Sequence, residues 1–224
     1  MFKKFLLLAA ILPTAFFAQN NQEIKLTSAM FGAMNARQIG SAEMSGRITA
    51  IDVVNETPRI MYIGTAGGGV WKSTTAGVTF NPIFDKFSQS IGCLTIDQKN
   101  PETVWVGTGE CNMRNSVSIG TGLYKTEDGG TTWKKSGLDS CERISKIIIH
   151  PNDPNTVFAA VPGALWSDSK HRGLYKTTDG GKTWNKIFYV DEKTGCADFA
   201  INPKNPDIMY MSTWQFRRTP WSFS

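Results

Sequence analysis

GLYKTEDGGTTW, at Gly122–Trp133, returns almost unchanged 51 residues later in this 224-residue chain. The second copy, Gly173–Trp184, reads GLYKTTDGGKTW, and a more divergent copy, GGVWKSTTAGVTF, occupies Gly68–Phe80. Self-similarity at a period of about fifty residues indicates a series of similar structural units. The sequence therefore predicts a repeat architecture rather than three unrelated tight turns.

Each copy has the composition of a β-hairpin. β-branched and aromatic residues flank an Asp-Gly-Gly core, in which the aspartate can bond the turn's own amides and the glycines can adopt positive φ. The tryptophan that ends each close copy is expected to fill space against a neighbouring unit. The structural residues of the two turns are Asp128, Gly130, Trp133, Asp179, Gly181 and Trp184. In the divergent copy Thr75 replaces the aspartate and Phe80 the tryptophan, so a looser turn is expected there.

A regular cycle of strands surrounds the hairpins. Each cycle begins with an apolar strand, which an Asn/Pro turn joins to a second strand. The third and fourth strands follow, and the hairpin turn joins them. The first strands are predicted at Ile48–Val54, Ile91–Asp97, Ile144–His150 and Ala197–Asn202, and the second at Ile60–Gly64, Thr103–Gly107, Thr156–Ala160 and Ile208–Ser212. Four antiparallel strands per cycle are typical of a propeller blade.

The fold predicted is therefore all-β, a β-propeller of four-stranded antiparallel blades. The blades are expected at about residues 45–85, 86–138 and 139–190, with a partial blade at 191–224. About three and a half blades cannot close a ring of four to eight. We therefore expect the sequence to be a fragment of a longer protein, with apolar surface exposed where further blades would pack.

The turn pattern resembles the Asp-box, or BNR repeat, of sialidases, sortilin-type ectodomains and related β-propellers. Thr126–Trp133 and Thr177–Trp184 match its S/T-x-D-x-G-x-T-W form at every defining position when Thr is accepted first. The wider wording, from about Ser45 to the end, is similar to bacterial BNR-repeat proteins grouped with sortilin-type propellers. The resemblance implies a sialidase-like propeller architecture.

The N-terminus has the features of a signal peptide at Met1–Ala18. Lys3 and Lys4 precede an apolar centre, and Ala18 offers a small-residue cleavage point. The apolar run is short for a bilayer span, so the mature protein is expected to be secreted, periplasmic or on the cell surface, without membrane insertion. Residues 19–44 are interpreted as a linker or clasp before the propeller at 45–224.

The composition gives little support for nucleic-acid or metal binding, and it does not determine how the cysteines pair. The net charge of +5 falls to +3 without the two leader lysines, and no basic run favours nucleic acid as a partner. The four cysteines form no C-x-x-C pair, so neither a metal nor a cofactor is predicted. Cys111 and Cys141 fall in loops of one repeat and could form a disulfide.

Function is expected in the loops between the second and third strands. Their aromatic-to-aromatic spans of 9, 19 and 17 residues vary, whereas the turns at the other end are stereotyped, and variable loops on a rigid scaffold usually carry function. Tryptophan beside arginine and carboxamide suits sugars or peptides, although such residues also tie loops together. The candidate ligand-binding residues are Arg47, Glu110, Asn112, Arg114, Asn115, Trp166, His171, Arg172, Trp214, Arg217 and Trp221.

Two families with catalytic propellers bear on this prediction. Sialidases bind a carboxylate through the arginine of an Arg-Ile-Pro motif. In this chain Arg47-Ile48 is followed by Thr49 instead of proline. Xyloglucan-specific endoglucanases carry a catalytic Asp in a T-D-x-G-G setting, where this chain has Ala66. No catalytic residue is therefore assigned. The leading hypothesis is an exported module that binds a peptide, protein or glycan. The alternatives are a glycan-acting hydrolase or lyase with carboxylates in missing blades, and an assembly factor like the photosystem-stability proteins.

Overall fold

The computed structural model describes residues 46–223, and all its regular elements are β-strands. The predicted leader at Met1–Ala18 and the linker at 19–44 lie outside the described residues. Within them, the chain runs as a succession of antiparallel sheets in which strands pair in sequence order. This is the all-β architecture of a β-propeller.

Three sheets have four strands each. Sheet 1 contains β1 (Ile48–Val53), β2 (Met61–Thr65), β3 (Val70–Ser73) and β4 (Asn81–Pro82). Sheet 2 contains β5 (Ile91–Ile96), β6 (Val104–Thr108), β7 (Leu123–Thr126) and β8 (Lys134–Lys135). Sheet 3 contains β9 (Lys146–His150), β10 (Asp153–Val161), β11 (Gly173–Thr177) and β12 (Asn185–Phe188). All the pairings within these sheets are antiparallel.

The last described sheets have two strands each. Sheet 4 pairs β13 (Thr194–Ile201) with β14 (Met209–Gln215), and a short hairpin pairs β15 (Arg218–Thr219) with β16 (Ser222–Phe223). β13 begins three residues before the predicted Ala197, because it pairs along the whole of the long β14. β9 begins at Lys146 rather than Ile144, since the Ile144 N–H bonds the Thr108 carbonyl of sheet 2.

Aromatic residues fill the spaces between successive sheets. Trp133, from the turn of sheet 2, packs edge-on against Phe84 with ring centroids 5.0 Å apart. Trp184, from the turn of sheet 3, packs edge-on against Trp105 of sheet 2 at 6.1 Å. Each indole also donates a hydrogen bond backwards, from Trp133 to the Ile83 carbonyl (2.9 Å) and from Trp184 to that of Ser136 (2.7 Å). The prediction that these tryptophans wedge neighbouring sheets together is confirmed.

The turns themselves are held by side chain to backbone bonds. In sheet 2, the Thr126 hydroxyl accepts the Gly130 N–H (2.9 Å) and the Asp128 carboxylate accepts the Thr132 N–H (2.8 Å). The turn of sheet 3 repeats both bonds, and its Gly181 has a φ of +93° that a side chain would strain. This scaffold fixes the loops at the opposite end of each sheet.

Candidate functional site

Arg172 organises the long loop between β10 and β11. Its side chain is buried, and burial lowers the pKa of its guanidinium. Among the described residues, the guanidinium donates to five backbone carbonyls, those of Pro162, Ala164 (2.6 Å), Ser167 (3.1 Å), Glu192 (2.6 Å) and Phe216 (3.1 Å). Arg172, a predicted ligand-binding residue, therefore fixes its own loop to the segments before β13 and after β14.

Polar contacts at the surface join loops from three sheets. The Asp168 carboxylate lies 3.1 Å from the Arg217 guanidinium. The Asn115 side-chain oxygen accepts a 2.6 Å bond from Arg218, which is 103 positions away in the chain. The Arg218 N–H in turn donates to the Leu165 carbonyl (2.9 Å). The loops that follow β6, β10 and β14 consequently meet at one end of the molecule.

Three tryptophans on these loops and strand ends are accessible. Trp166 and Trp214 are each 41% exposed and Trp221 is 86% exposed. Trp214 is supported from behind by the buried Phe216, whose ring lies 5.5 Å away in an edge-on arrangement. We call the following set the loop surface: Asn115, Trp166, Asp168, Trp214, Arg217 and Trp221.

A second charged cluster links the first three sheets. Glu110, just after β6, is buried and forms an ion pair with Arg47, which precedes β1. Arg143, which precedes β9, is also buried and donates from Nε to the Glu110 carbonyl (3.1 Å) and from Nη1 to the Glu142 carboxylate (2.8 Å). Its Nη2 is a buried donor for which the described residues offer no acceptor. The structure thus places Glu110 in an inter-sheet network rather than on the loop surface.

Sequence reasoning missed Arg143, although a signal was available. Arg143-Ile144 before β9 repeats the Arg47-Ile48 dipeptide at the start of β1. Both arginines contact Glu110, although differently: Arg47 pairs with its carboxylate, whereas the buried Arg143 donates to its backbone carbonyl.

The remaining candidates do not converge on one point. Asn112 and Arg114 are exposed on the loop after β6. His171 is partly exposed, and burial, followed by Lys170 and Lys186, lowers the pKa of its imidazole. Its backbone carbonyl accepts a 2.9 Å bond from the Tyr175 hydroxyl.

None of the four cysteines is disulfide-bonded in the structure. The predicted Cys111–Cys141 disulfide is absent, and the two thiols lie against different carbonyls, those of Gly109 and His171. Burial raises the pKa of both thiols to about 12. Over residues 46–223, no group of three or more His, Cys, Asp or Glu side chains could hold a metal ion. That same range contains no helix with the length and apolar character to cross a bilayer.

Comparison with known proteins identifies related chains. The Sortilin-Vps10 family model, described as sortilin, neurotensin receptor 3, matches residues 68–218. A xyloglucanase of Acetivibrio thermocellus is 32% identical over 99 residues, 34% of this chain and 11% of the relative. A xyloglucanase of Hypocrea jecorina is 24% identical over 241 residues, 73% of this chain and 28% of the relative. The chain therefore spans about a tenth of the first of these relatives and little more than a quarter of the second.

A solved structure of an ancestral GH74 enzyme superimposes with a TM-score of 0.59. It shares 19% identity and covers 76% of this chain, which spans 22% of that enzyme. At this level of identity the similarity shows the fold alone.

Proposed function

Since the chain belongs to the Sortilin-Vps10 family, we propose that it is an exported binding module that recognises a peptide, protein or glycan through the loop surface. The matching family model bears the name of a receptor. Export is inferred from the leader at Met1–Ala18.

One observation carries the proposal: loops from three sheets meet and leave tryptophan rings accessible beside polar groups. Trp166 and Trp214 are each 41% exposed, so part of each ring is accessible while the rest is anchored in the protein. Their rings offer flat apolar faces at low entropic cost, because a tryptophan has only two rotatable side-chain bonds. Such faces suit the apolar side of a sugar ring or an extended peptide.

The charged side chains of the loop surface can exchange their present partners for groups of a ligand. Arg217 and Asp168 are about two-fifths exposed, and an exposed ion pair contributes only about 0–1 kcal/mol. A ligand carboxylate or carbonyl can therefore replace Asp168 as the partner of Arg217 at little cost. The buried Arg172 keeps the loop backbone in place meanwhile.

Substitution of the tryptophans tests the proposal. Immobilised xyloglucan is one probe, chosen because the relatives are xyloglucanases, and a displayed random-peptide library is the other. The Trp166→Ala/Trp214→Ala variant should lose about tenfold or more in affinity for whichever probe the protein retains. Val78→Ala, which alters an 82% exposed side chain of the first turn, is the control. Equal capture by the tryptophan variant and the control would contradict the proposal.

A glycan-acting hydrolase is the second candidate, favoured by the xyloglucanase relatives. Glycoside hydrolysis requires two carboxylates flanking the bond. Glu110 is 1% exposed and paired with Arg47, and Ala66 occupies the place of the expected aspartate. Release of reducing ends from xyloglucan by the folded protein, abolished in Glu110→Gln, would favour hydrolysis over binding.

A further inference from the structure

The hairpin turns of sheets 2 and 3 flank a groove of about 460 Å³. Both sheets have all four strands, so the walls of the groove are complete within the described residues. The groove lies at the end of the sheets that carries the hairpin turns, whereas the loop surface lies at the opposite end. We call it the turn groove. Its lining includes four lysines, Lys125, Lys134, Lys135 and Lys182.

Both carboxylates in the lining are held by groups of sheet 2. The Glu127 carboxylate accepts a bond from Lys125 Nζ (2.8 Å). The Asp128 carboxylate accepts bonds from the hydroxyls of Thr126 and Thr132 and from the Thr132 N–H. The acidic side chains of the groove are therefore engaged within their own hairpin.

Two of the four lysines lack an acidic partner. Lys135 is paired, as Lys125 is, in its case with Asp139 (3.2 Å). Among residues 46–223, no carboxylate lies within ion-pairing distance of Lys134 or Lys182. Both side chains are exposed. One ammonium group from sheet 2 and one from sheet 3 are consequently available to a ligand.

A groove at the corresponding junction of sheets 1 and 2 has a different character. It has a similar volume, about 480 Å³, and lies between the outer strand of sheet 1 and the turn of sheet 2. Ile83, Phe87 and Trp133 line it, and its charged side chains are one acid and one base, Asp85 and Lys86. A groove of this size is thus a property of the repeat, whereas the lysines belong to one groove.

The scaffold itself does not require the unpaired lysines. The outer strand of sheet 2 is Lys134–Lys135, where that of sheet 1 is Asn81–Pro82. Lys182 occupies the turn position that Thr131 occupies in sheet 2. Since other residues serve the same backbone positions, a role for these lysines outside folding is favoured.

The rest of the lining suits a hydrophilic ligand. Besides charged side chains it consists of Thr132, Ser136, Gly137, Gly180 and Gly181. Of the described residues that line the groove, none has an apolar side chain. Grooves for peptides usually offer apolar pockets, and sites for single-stranded nucleic acids offer aromatic rings on which bases stack. Hydroxyl and backbone groups beside ammonium groups match a ligand rich in hydroxyls and negative charge.

We propose that the turn groove binds an acidic glycan, a carbohydrate that carries carboxylate or sulfate groups. Lys134 and Lys182 pair with its anionic groups, and the hydroxyl and backbone groups of the lining bond its hydroxyls. An ammonium accepts either anion as a partner, because it is a compact charge whose three donors rotate freely. The site is separate from the loop surface and does not rest on the function proposed for that surface.

Three polysaccharides serve as probes for the full chain. Polygalacturonate carries carboxylates, dextran sulfate carries sulfates, and dextran is neutral. At least one of the two acidic polymers should bind, and its affinity should fall as salt is added, because salt screens exposed charges. Comparison of the two acidic polymers distinguishes carboxylate from sulfate as the preferred group.

A pair of variants with equal charge locates the site. Lys134→Gln/Lys182→Gln should bind the acidic polymer about tenfold more weakly, since two exposed charge contacts are lost. Lys99→Gln/Lys204→Gln removes the same charge at exposed positions outside the groove and should bind as the natural chain does.

Four results would overturn the proposal. They are no binding of either acidic polymer, equal losses in the two double variants, binding of dextran as tight as that of the acidic polymers, and equally tight binding of a single-stranded DNA. Loss of the same binding in Trp166→Ala/Trp214→Ala would also overturn it, because the acidic glycan would then lie on the loop surface.

Discussion

Arg172 shows how one residue decides whether a loop can serve as a binding surface. Five backbone carbonyls from three segments surround its guanidinium. Without the side chain the buried Pro162, Ala164 and Phe216 carbonyls would lose this donor, and each unsatisfied buried group costs free energy. The loop surface therefore depends on a buried residue that is not itself part of that surface.

Arg172→Lys should lower the free energy of unfolding by about 3 kcal/mol, because one ammonium cannot reach five acceptors. Urea unfolding measures this loss, and hydrogen exchange should show earlier opening at residues 162–172. Arg114→Lys, on an exposed loop position, is the control and should leave both unchanged. Exchange that accelerates uniformly over the chain would contradict the local role.

Asp128 makes the stability of its turn dependent on pH. The Thr132 hydroxyl (2.5 Å) and N–H, together with the Thr126 hydroxyl, bond the carboxylate and lower its pKa to about 2. A group whose pKa is lower in the folded state contributes stability above its unfolded pKa of about 3.9, and this is lost as the pH falls through the folded pKa. The same reasoning holds for Asp179, whose pKa is also lowered.

Asp128→Ala should therefore be less stable than the natural chain at pH 6, with the difference narrowing between about pH 4 and pH 2. Urea unfolding over a pH series measures the difference. Asp139→Ala, which removes an exposed partner of Lys135, is the control and should change little at any pH. A difference that is constant from pH 6 to pH 2 would show that the carboxylate charge is irrelevant to the turn.

At the scale of the element, the hairpin tryptophan combines packing with a directed hydrogen bond. Trp184 contacts the Trp105 ring edge-on and donates to the Ser136 carbonyl. The first turn has Phe80 instead, which keeps a ring and loses the donor. The repeat itself therefore suggests how to separate the two contributions.

Trp184→Phe should cost about 1 kcal/mol, the net value of one hydrogen bond, and Trp184→Ala about 3–5 kcal/mol through the cavity it leaves. Chemical denaturation measures both, and Phe80→Ala in the first turn provides the comparison. Equal losses in the two Trp184 variants would mean that the indole bond, rather than packing, holds sheet 3 to sheet 2.

The strands and turns were largely predictable because their signals are local. Alternating apolar residues, Asn-Pro pairs and Asp-Gly-Gly cores each specify backbone conformation within a few residues. The looser first turn stays a prediction, although the Thr75 hydroxyl accepts the Thr79 N–H at 2.9 Å, in the place of the carboxylate. A hydroxyl and a carboxylate oxygen are both short acceptors, which the consensus pattern does not reveal.

The candidate site was less predictable, because exposure depends on distant parts of the chain. Sequence places Trp166 and Arg172 on the same loop, yet one is accessible and the other buried. The difference arises because the Arg172 guanidinium donates to the Glu192 and Phe216 carbonyls, which belong to segments on either side of sheet 4. Burial of Glu110 likewise depends on Arg47, 63 positions away. Contacts between residues so distant in sequence cannot be predicted from the local sequence pattern.

For the whole molecule, the charged cluster links two successive interfaces, between sheets 1 and 2 and between sheets 2 and 3, through one residue. In repeat architectures, stability is approximately a sum of unit terms and nearest-neighbour interface terms. Glu110 of sheet 2 binds Arg47 of sheet 1 through its side chain, and Arg143 before sheet 3 through its backbone. One residue therefore contributes to two successive interfaces, and its side chain can be changed without removing the second contact.

Glu110→Gln should lower the free energy of unfolding by about 1–2 kcal/mol, since the Arg47 end of the pair is 42% exposed and keeps access to water. Because the backbone bond to Arg143 is retained, hydrogen exchange should accelerate in β1 and β2 while β9–β12 remain protected. Lys135→Gln, which removes an exposed pair with Asp139 at 3.2 Å, is the control and should change stability by a few tenths of a kcal/mol at most. If β9–β12 open together with β1 and β2 in Glu110→Gln, the three sheets unfold as one unit and the nearest-neighbour description is wrong for this propeller.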